Sequence, residues 1–279
     1  MNKKSKILFL ICALGVMSSC TGMHKKHKHL KNEVQLRSIV NSEHRSEENR
    51  IRNVYRHPVD TLMFFGVEPN MKVVEVSPGG GWYTEILGPY LRKEGELYLS
   101  VFSENSDRSY APKLLEKIKT LTSDKERFGK VHFTTLDTPK FIEDVAPDAS
   151  VDRVLVFRNI HSWMGHEKLK EVLAKFYKAL KPGGVLGIVQ HRANSDYRQD
   201  PKGKKGYVRE DYVIDQVLEA GFEFVAKSEV NANYNDKANY KDGVWTLPPS
   251  LRLKEKDRTK YLAIGESDRM TLKFKKPIN

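Results

Sequence analysis

The segment Val73–Leu87 constrains the fold of this chain more than any other part of its sequence. It opens with an apolar run typical of a strand buried on both faces, continues through Pro78–Gly81, and leads into a helix predicted over 82–91. Glycines let the backbone approach a ligand closely, and a helix that begins after such a turn presents unpaired N–H groups to a negative group. The segment therefore predicts a ligand crevice at the carboxyl end of a buried parallel strand.

Apolar runs and helical patterns alternate along most of the chain. Strands are predicted over 71–76, 96–102, 130–136, 152–159, 185–190, 222–230 and 269–274, and helices over 47–55, 58–65, 82–91, 112–121, 168–180 and 210–220. Strands that alternate with helices at this spacing predict a parallel sheet with helices on both faces. Because no helix is predicted between the last two strands, we expect the last one to be antiparallel. The predicted fold class is therefore α/β, a doubly wound, mostly parallel seven-stranded sheet with an antiparallel last strand.

The N-terminus has the pattern of a bacterial export signal. Three lysines precede an apolar run of eleven residues over 7–17, and Ser18, Ser19 and Cys20 follow it. The stretch 17–20 resembles a lipobox, at which bacteria attach a lipid to the cysteine and cleave before it. We therefore expect 1–19 to be a lipoprotein signal peptide and the protein to be exported and lipid-anchored through Cys20, facing the periplasm. Met17 departs from the usual Leu, so plain secretion and an uncleaved anchor are the alternatives.

Cysteine usage limits the chemistry of the exported domain. The chain has two cysteines, Cys12 and Cys20. Cleavage would remove Cys12 and lipidation would occupy Cys20, which leaves no disulfide, no thiolate nucleophile and no cysteine-ligated zinc. No His-Glu-x-x-His or similar spacing occurs, so no metal site is predicted.

Residues 20–45 are polar and basic, and we expect them to form a linker to a domain over 46–279. His24, His27 and His29 alternate with lysines there and could bind a metal, but the lysines would repel a cation. The formal net charge of +12 favours anionic partners, but the Lys and Arg residues are spread over the whole chain, which favours a solvated basic surface instead. A basic loop after the fifth predicted strand offers the same two interpretations; it contains Arg192, Arg198, Lys202, Lys204 and Lys205.

Two glycine turns together resemble those of a known enzyme family. Glu75–Gly81, followed downstream by Leu180–Leu186, is similar to class I S-adenosylmethionine-dependent methyltransferases, whose first motif is Asp/Glu-x-Gly-x-Gly-x-Gly. Ser77 stands at the first glycine position, and the resemblance covers roughly 50–276. A group of predicted bacterial methyltransferases that often carry signal peptides is more similar still, through the motifs Arg56–Pro58, Phe64–Gly66, Pro78–Tyr83 and Phe157–Trp163.

The resemblance implies a role for several residues of this chain. The domain would bind S-adenosylmethionine and transfer its methyl group to a small-molecule acceptor. Gly79, Gly80 and Gly81 would pass along the methionine part, and Glu75 would orient them and meet the ammonium through water. The remaining cofactor contacts would be Glu104 on the ribose hydroxyls, Asp137 on the adenine amino group and Asn159 beside the sulfonium.

Three histidines are candidates for the base that such a reaction needs when the nucleophile carries a proton. His161 and His191 follow the fourth and fifth predicted strands, and His57 lies on the N-terminal segment. Each could instead cap a helix or pack. The alternative function is a non-catalytic envelope lipoprotein that uses the fold to bind a ligand or partner, because this cofactor is made in the cytoplasm. Nucleic acid is not an expected partner, since export and the absence of an Asn/Asp-Pro-Pro-Tyr motif argue against it.

Overall fold

One mixed sheet organises the chain, of which the computed structural model describes residues 26–278. Its strands are β1 (Lys72–Val76), β2 (Glu96–Val101), β3 (Val131–Asp137), β4 (Phe141–Ile142), β5 (Val151–Phe157), β6 (Leu180–His191), β7 (Glu223–Ser228) and β8 (Arg269–Lys275). They lie in the order β4-β3-β2-β1-β5-β6-β8-β7. The predicted signal peptide, Cys20 and His24 lie outside the described residues.

Strand directions confirm the predicted fold class. Strands β3, β2, β1, β5 and β6 pair in parallel, and β8 inserts antiparallel between β6 and β7. All seven predicted strands are present. The structure adds the two-residue β4, antiparallel to β3, which is too short to leave a periodic pattern in the sequence. Strand β6 also begins earlier than predicted, because Leu180 pairs with Val151 before a register shift.

Helices cover both faces of the sheet. They are α1 (26–40), α2 (Glu47–Arg50), α3 (Asn53–Arg56), α4 (Pro58–Phe64), α5 (Thr84–Leu91), α6 (Ala111–Leu121), α7 (Lys125–Phe128), α8 (Ile160–Gly165), α9 (Leu169–Ala179), α10 (Glu210–Glu219) and α11 (Arg258–Ile264). One apolar cluster unites α1, α4, α5 and α6 with one face, and a second unites α8, α9 and α10 with the other. Within residues 26–278, no helix is long and apolar enough to cross a membrane.

The structure differs from the predicted linker over 20–45. Residues 26–40 form a helix whose Leu36 and Val40 are buried in the core. Arg45 is also buried and donates to the Val40 carbonyl over 2.8 Å. Leu36, Ile39 and Val40 are spaced three and four residues apart, so they share one helix face. That stripe is short, and the basic composition around it concealed it.

Replacing Leu36 with Ala tests whether α1 belongs to the folded domain. We expect the free energy of unfolding to fall by about 2–5 kcal/mol, because the change leaves a cavity in the core. Val34→Ala is the matched control on the same helix, since Val34 is 67% exposed, and it should change the value by less than about 0.5 kcal/mol. Urea unfolding measures both. Equal effects of the two changes would contradict the packing of α1.

Candidate functional site

A cavity of about 490 Å³ opens at the carboxyl ends of β1, β5 and β6. Ser77 follows β1, Arg158 follows β5, and His191 ends β6, so three neighbouring strands each supply a lining residue. The N-terminal segment around α2 and α3 forms one wall. A loop over 244–250, in the excursion before α11, forms the opposite wall. The cavity therefore lies at the edge where the strand–turn–helix segment predicted a ligand crevice.

The glycine turn faces this cavity in two of its three positions. Gly79 has a φ of +58°, and a Cβ placed there would meet no atom within 4 Å. Gly80 also lines the cavity. A Cβ on Gly81 would lie 2.8 Å from Leu121 of α6, so Gly81 is required for helix packing instead. Gly79 and Gly80 thus leave a surface that a ligand can approach closely.

Glu75 supports the turn from behind and does not line the cavity. Its carboxylate is buried and accepts a hydrogen bond from Thr84 Oγ1, the first residue of α5, over 2.7 Å. Burial raises the pKa of Glu75 to about 7, against the smaller lowering effect of that hydrogen bond. The residue joins the end of β1 to the start of α5.

The carboxylates expected on the adenosine side lie apart from the cavity. Glu104 is exposed and pairs with Lys119 over 2.6 Å. Asp137 is buried, and one of its oxygens accepts a hydrogen bond from Arg108, whose guanidinium lies over the Phe102 ring. The other oxygen, Oδ2, has no hydrogen-bond partner within the described chain.

The recess between the glycine turn and the end of β2 is almost closed. Its volume is about 10 Å³, and Phe102 and side chains of α6 line it together with the turn. A recess of that size has room for about one water molecule and not for an adenosine group. The structure therefore holds open the space beside Gly79 and Gly80, and holds closed the space towards β2 and β3.

Two of the three candidate histidines meet in the cavity. The rings of His161 and His191 both line it, with their centroids 5.9 Å apart. Burial lowers the pKa of His161 to about 4, and burial followed by the nearby Arg269 lowers the pKa of His191. Both are therefore neutral at pH 7. His57 instead precedes α4, outside the cavity, with a φ of +36° and a buried Nδ1 that has no partner among residues 26–278.

Hydrogen bonds around Gln190 determine which nitrogen of His161 carries the proton. The Gln190 carbonyl accepts from the Ile160 N–H over 3.1 Å, and its amide donates to the Gly206 carbonyl over 2.9 Å. The second amide hydrogen points to His161 Nδ1, at 3.3 Å. Nδ1 therefore accepts, and neutral His161 carries its proton on Nε2. In this tautomer His161 offers the cavity a donor.

Asn159 and two stacked rings fix the turn after β5. Asn159 Nδ2 donates to the Val76 carbonyl over 3.2 Å, so the ends of β1 and β5 are tied together. The rings of Tyr83 and Phe157 stack with centroids 3.7 Å apart. Asn159 also lines the cavity.

Four arginines surround one carboxylate in the cavity, and the sequence analysis did not predict that these residues lie together. We call Arg52, Arg56, Arg158 and Arg269 the arginine cluster; all four line the cavity. Glu266 lies among them with a side chain only 1% exposed. It accepts hydrogen bonds from Arg52 Nε at 2.6 Å and Arg56 Nε at 3.0 Å, and from the Arg269 guanidinium.

The electrostatics of Glu266 follow from these neighbours. Burial alone would raise the pKa of its carboxyl group, but Arg269, Arg56 and Arg52 outweigh burial and lower the pKa to about 2. Arg56 and Arg158 lie in motifs that the sequence singled out, yet Glu266 and Arg52 adjoin none. No local signal could have found the cluster, because Arg52 and Glu266 are 214 residues apart.

Comparisons with known proteins identify the fold. No protein-family model matches this sequence. No curated protein matches it either. Among solved structures, a SAM-dependent methyltransferase from Aquifex aeolicus superimposes with a TM-score of 0.52 at 17% identity, over 80% of this chain and 92% of that one.

Two further structures extend the comparison. A putative sarcosine dimethylglycine methyltransferase from Galdieria sulphuraria gives a TM-score of 0.53 at 13% identity, over 82% and 87% of the two chains. The [4+2]-cyclase SpnF gives 0.54 at 13% identity, over 80% and 81%. At these identities the likeness shows a shared architecture, so the chain has the Rossmann-like methyltransferase fold.

Replacing Glu266 with Gln tests the ion pairs of the arginine cluster. The change leaves the buried Arg56 and Arg269 and the partly buried Arg52 without their counter-charge, so we expect the free energy of unfolding at pH 7 to fall by about 3–5 kcal/mol. Glu104→Gln is the control, since its pair with Lys119 is exposed and should contribute less than about 1 kcal/mol. Urea unfolding measures both changes.

The difference in unfolding free energy between the wild type and the Glu266→Gln variant should also depend on pH. A carboxyl group whose pKa falls from 4.5 to about 2 on folding stabilises the protein above pH 4.5 and loses that effect as the pH falls towards 2. The stability difference between the protein and its Glu266→Gln variant should therefore shrink between pH 5 and pH 3. A constant difference over that range would contradict the ion-pair assignment.

Proposed function

We propose that this domain binds S-adenosylmethionine at the turn Ser77–Gly80 and transfers the methyl group to a small-molecule acceptor in the adjoining cavity. The observation that carries the proposal is the open face of Gly79. This left-handed glycine, with free space where a Cβ would lie, borders a cavity at the carboxyl end of β1. In a doubly wound sheet that position receives the ligand.

The residues present fit the cofactor at two places. The backbone at Gly79 can approach the methionine part without a side chain in the way, whereas Lys117 lies beside Gly80. The unpartnered Oδ2 of Asp137 is a buried acceptor suited to the adenine amino group. Because the recess near Phe102 is almost closed, we infer that the segment carrying Phe102 and Arg108 must move before the adenosine half can enter.

When bound, the cofactor supplies a methyl group on a positively charged sulfur, which is already a good electrophile. The chain itself has to position the acceptor and, where necessary, take up a proton. The stacked Tyr83 and Phe157 and the Asn159 hydrogen bond hold the wall beside the glycine turn rigid. Both histidines are neutral at pH 7: His161 donates from Nε2, and the lowered pKa of His191 makes it a weak base.

A non-catalytic ligand-binding module is the second candidate function. The end of β2 carries Val101 and Phe102 where the resemblance leads one to expect a carboxylate for the ribose. Arg108 already occupies one oxygen of Asp137. The likeness to a protein named as a cyclase also shows that this architecture is not restricted to methyl transfer.

We further propose that the protein is exported and anchored by a lipid on Cys20. The support is the sequence 1–20 alone, with its basic, apolar and small-residue regions in the order of a lipoprotein signal. An anchored domain would act on acceptors of the cell envelope. Cys20→Ser should abolish the incorporation of labelled palmitate into the protein by the producing bacterium, while Cys12→Ser, inside the signal, should not.

Calorimetric titration of the purified protein with S-adenosylmethionine and with its demethylated product tests the proposed function. We expect micromolar binding of both, and no binding by a Gly79→Arg variant, whose side chain would fill the cavity. Gly183→Arg is the matched control. Gly183 also has a left-handed φ, +76°, but it lies near the start of β6, at the amino ends of the parallel strands and away from the cavity. Absence of binding by the folded wild type would reject the enzyme and favour the binding module.

A further inference from the structure

The cavity carries more positive charge than its own carboxylates neutralise. Five cationic side chains line it, the arginine cluster and Lys117, against two carboxylates, Glu48 and Glu266. The formal excess is three positive charges, since both histidines are neutral. Glu266 accepts hydrogen bonds from Arg52, Arg56 and Arg269, and none from the fourth arginine.

Arg158 is the arginine without a counter-charge. Its guanidinium lines the cavity, yet it makes no hydrogen bond and no salt bridge to any residue in 26–278. Burial, followed by repulsion from Arg269, lowers the pKa of Arg158 to about 10, which still leaves it charged at pH 7. Because Arg158 is only partly buried, water in the cavity can solvate this charge, and an anion that enters the cavity can pair with it.

The backbone of Arg158 is also held in an unfavourable conformation. Its φ is +67°, in the left-handed region that non-glycine residues seldom adopt. The Arg158 N–H donates to the Val189 carbonyl over 2.7 Å, and the neighbouring Asn159 is tied to Val76, so the turn cannot relax. Such strain persists where the surrounding structure enforces it, and it concentrates at ligand sites.

Other donors converge on the same space. Arg52 has a buried terminal nitrogen with no partner among the described residues. His161 presents its Nε2–H, as its contact with Gln190 requires. The Arg56 guanidinium lies 4.7 Å above the Trp82 ring, which limits the directions in which it can turn. Planar guanidinium groups with fixed donors match the geometry of carboxylate and phosphate oxygens.

We propose that the arginine cluster binds an oxyanion, the carboxylate or phosphate group of the acceptor. The identification of this anion as a methyl acceptor rests on the proposed function. Binding of the anion itself requires no cofactor. The assignment also resolves an electrostatic conflict. A sulfonium beside a cavity with excess positive charge would be repelled, and an anionic acceptor between them offsets that repulsion.

The oxyanion that the arginine cluster binds could instead be the carboxylate of the cofactor's own methionine part. An experiment without turnover separates the two. The purified protein is titrated by calorimetry with inorganic phosphate and with malonate, at pH 7.5 and constant ionic strength, and the titrations are repeated with saturating S-adenosylhomocysteine. Anion binding that is unchanged or strengthened by S-adenosylhomocysteine supports an acceptor site. Competition between the two assigns the cluster to the cofactor and overturns the proposal.

Three variants locate the anion. Arg158→Gln should weaken phosphate or malonate binding by roughly tenfold to a hundredfold, and Arg158→Lys should weaken it less. Arg198→Gln, on the exposed basic loop, is the matched control and should leave the affinity unchanged. No anion binding by the wild type, or an equal loss in Arg198→Gln, would overturn the proposal.

Thermal unfolding tests whether a loss of anion binding in Arg158→Gln is due to a loss of folded protein. Because Arg158 has no hydrogen bond to lose and is repelled by Arg269, Arg158→Gln should melt at the same temperature as the wild type or higher. Phosphate should raise the melting temperature of the wild type but not of Arg158→Gln. If phosphate binds and S-adenosylhomocysteine does not, the anion site stands and the methyl-transfer function falls, so the two failures are distinguishable.

Discussion

The cavity depends on the ion pairs that the buried Glu266 carboxylate makes across the edge of the sheet. It joins Arg52 and Arg56, from the N-terminal segment, to Arg269 at the start of β8. Without that single negative charge, three guanidinium groups would lie together in a poorly solvated space and repel one another. The wall formed by α2 and α3 is therefore held to the sheet by electrostatics as well as by packing.

The glycine turn and the arginine cluster divide the cavity into two chemically different sides. At Gly79 the backbone is bare, which suits a ligand that needs close approach. On the other side we place Arg158, which also lines the cavity and whose cationic side chain makes no salt bridge within the described chain. A ligand with a positively charged centre would be favoured on the first side only if a negative group occupied the second. Cofactor and acceptor binding would then assist each other, through charge and not through a change of fold.

The end of β2 shows how a shared architecture can differ in the residues around a ligand crevice. Phe102 lines the almost closed recess there, and Arg108 lies over its ring and pairs with the Asp137 carboxylate. Such an internal partner stabilises Asp137 in the absence of ligand, and a ligand has to displace it. The architecture alone therefore leaves both affinity and reaction open, as the likeness to a cyclase illustrates.

The sequence by itself determined the sheet and the glycine turn, because both depend on neighbours in the chain. The apolar run of β1 and the glycines after it follow one another directly, and the antiparallel β8 followed from a missing helix. Only the tertiary structure decided the rest. Helix α1 packs through a short apolar stripe within a basic stretch, and Glu104 turned outward to Lys119. Glu266 meets Arg52 from more than 200 residues away. Ion pairs over such separations leave no spacing in a sequence, since only folding brings the partners together.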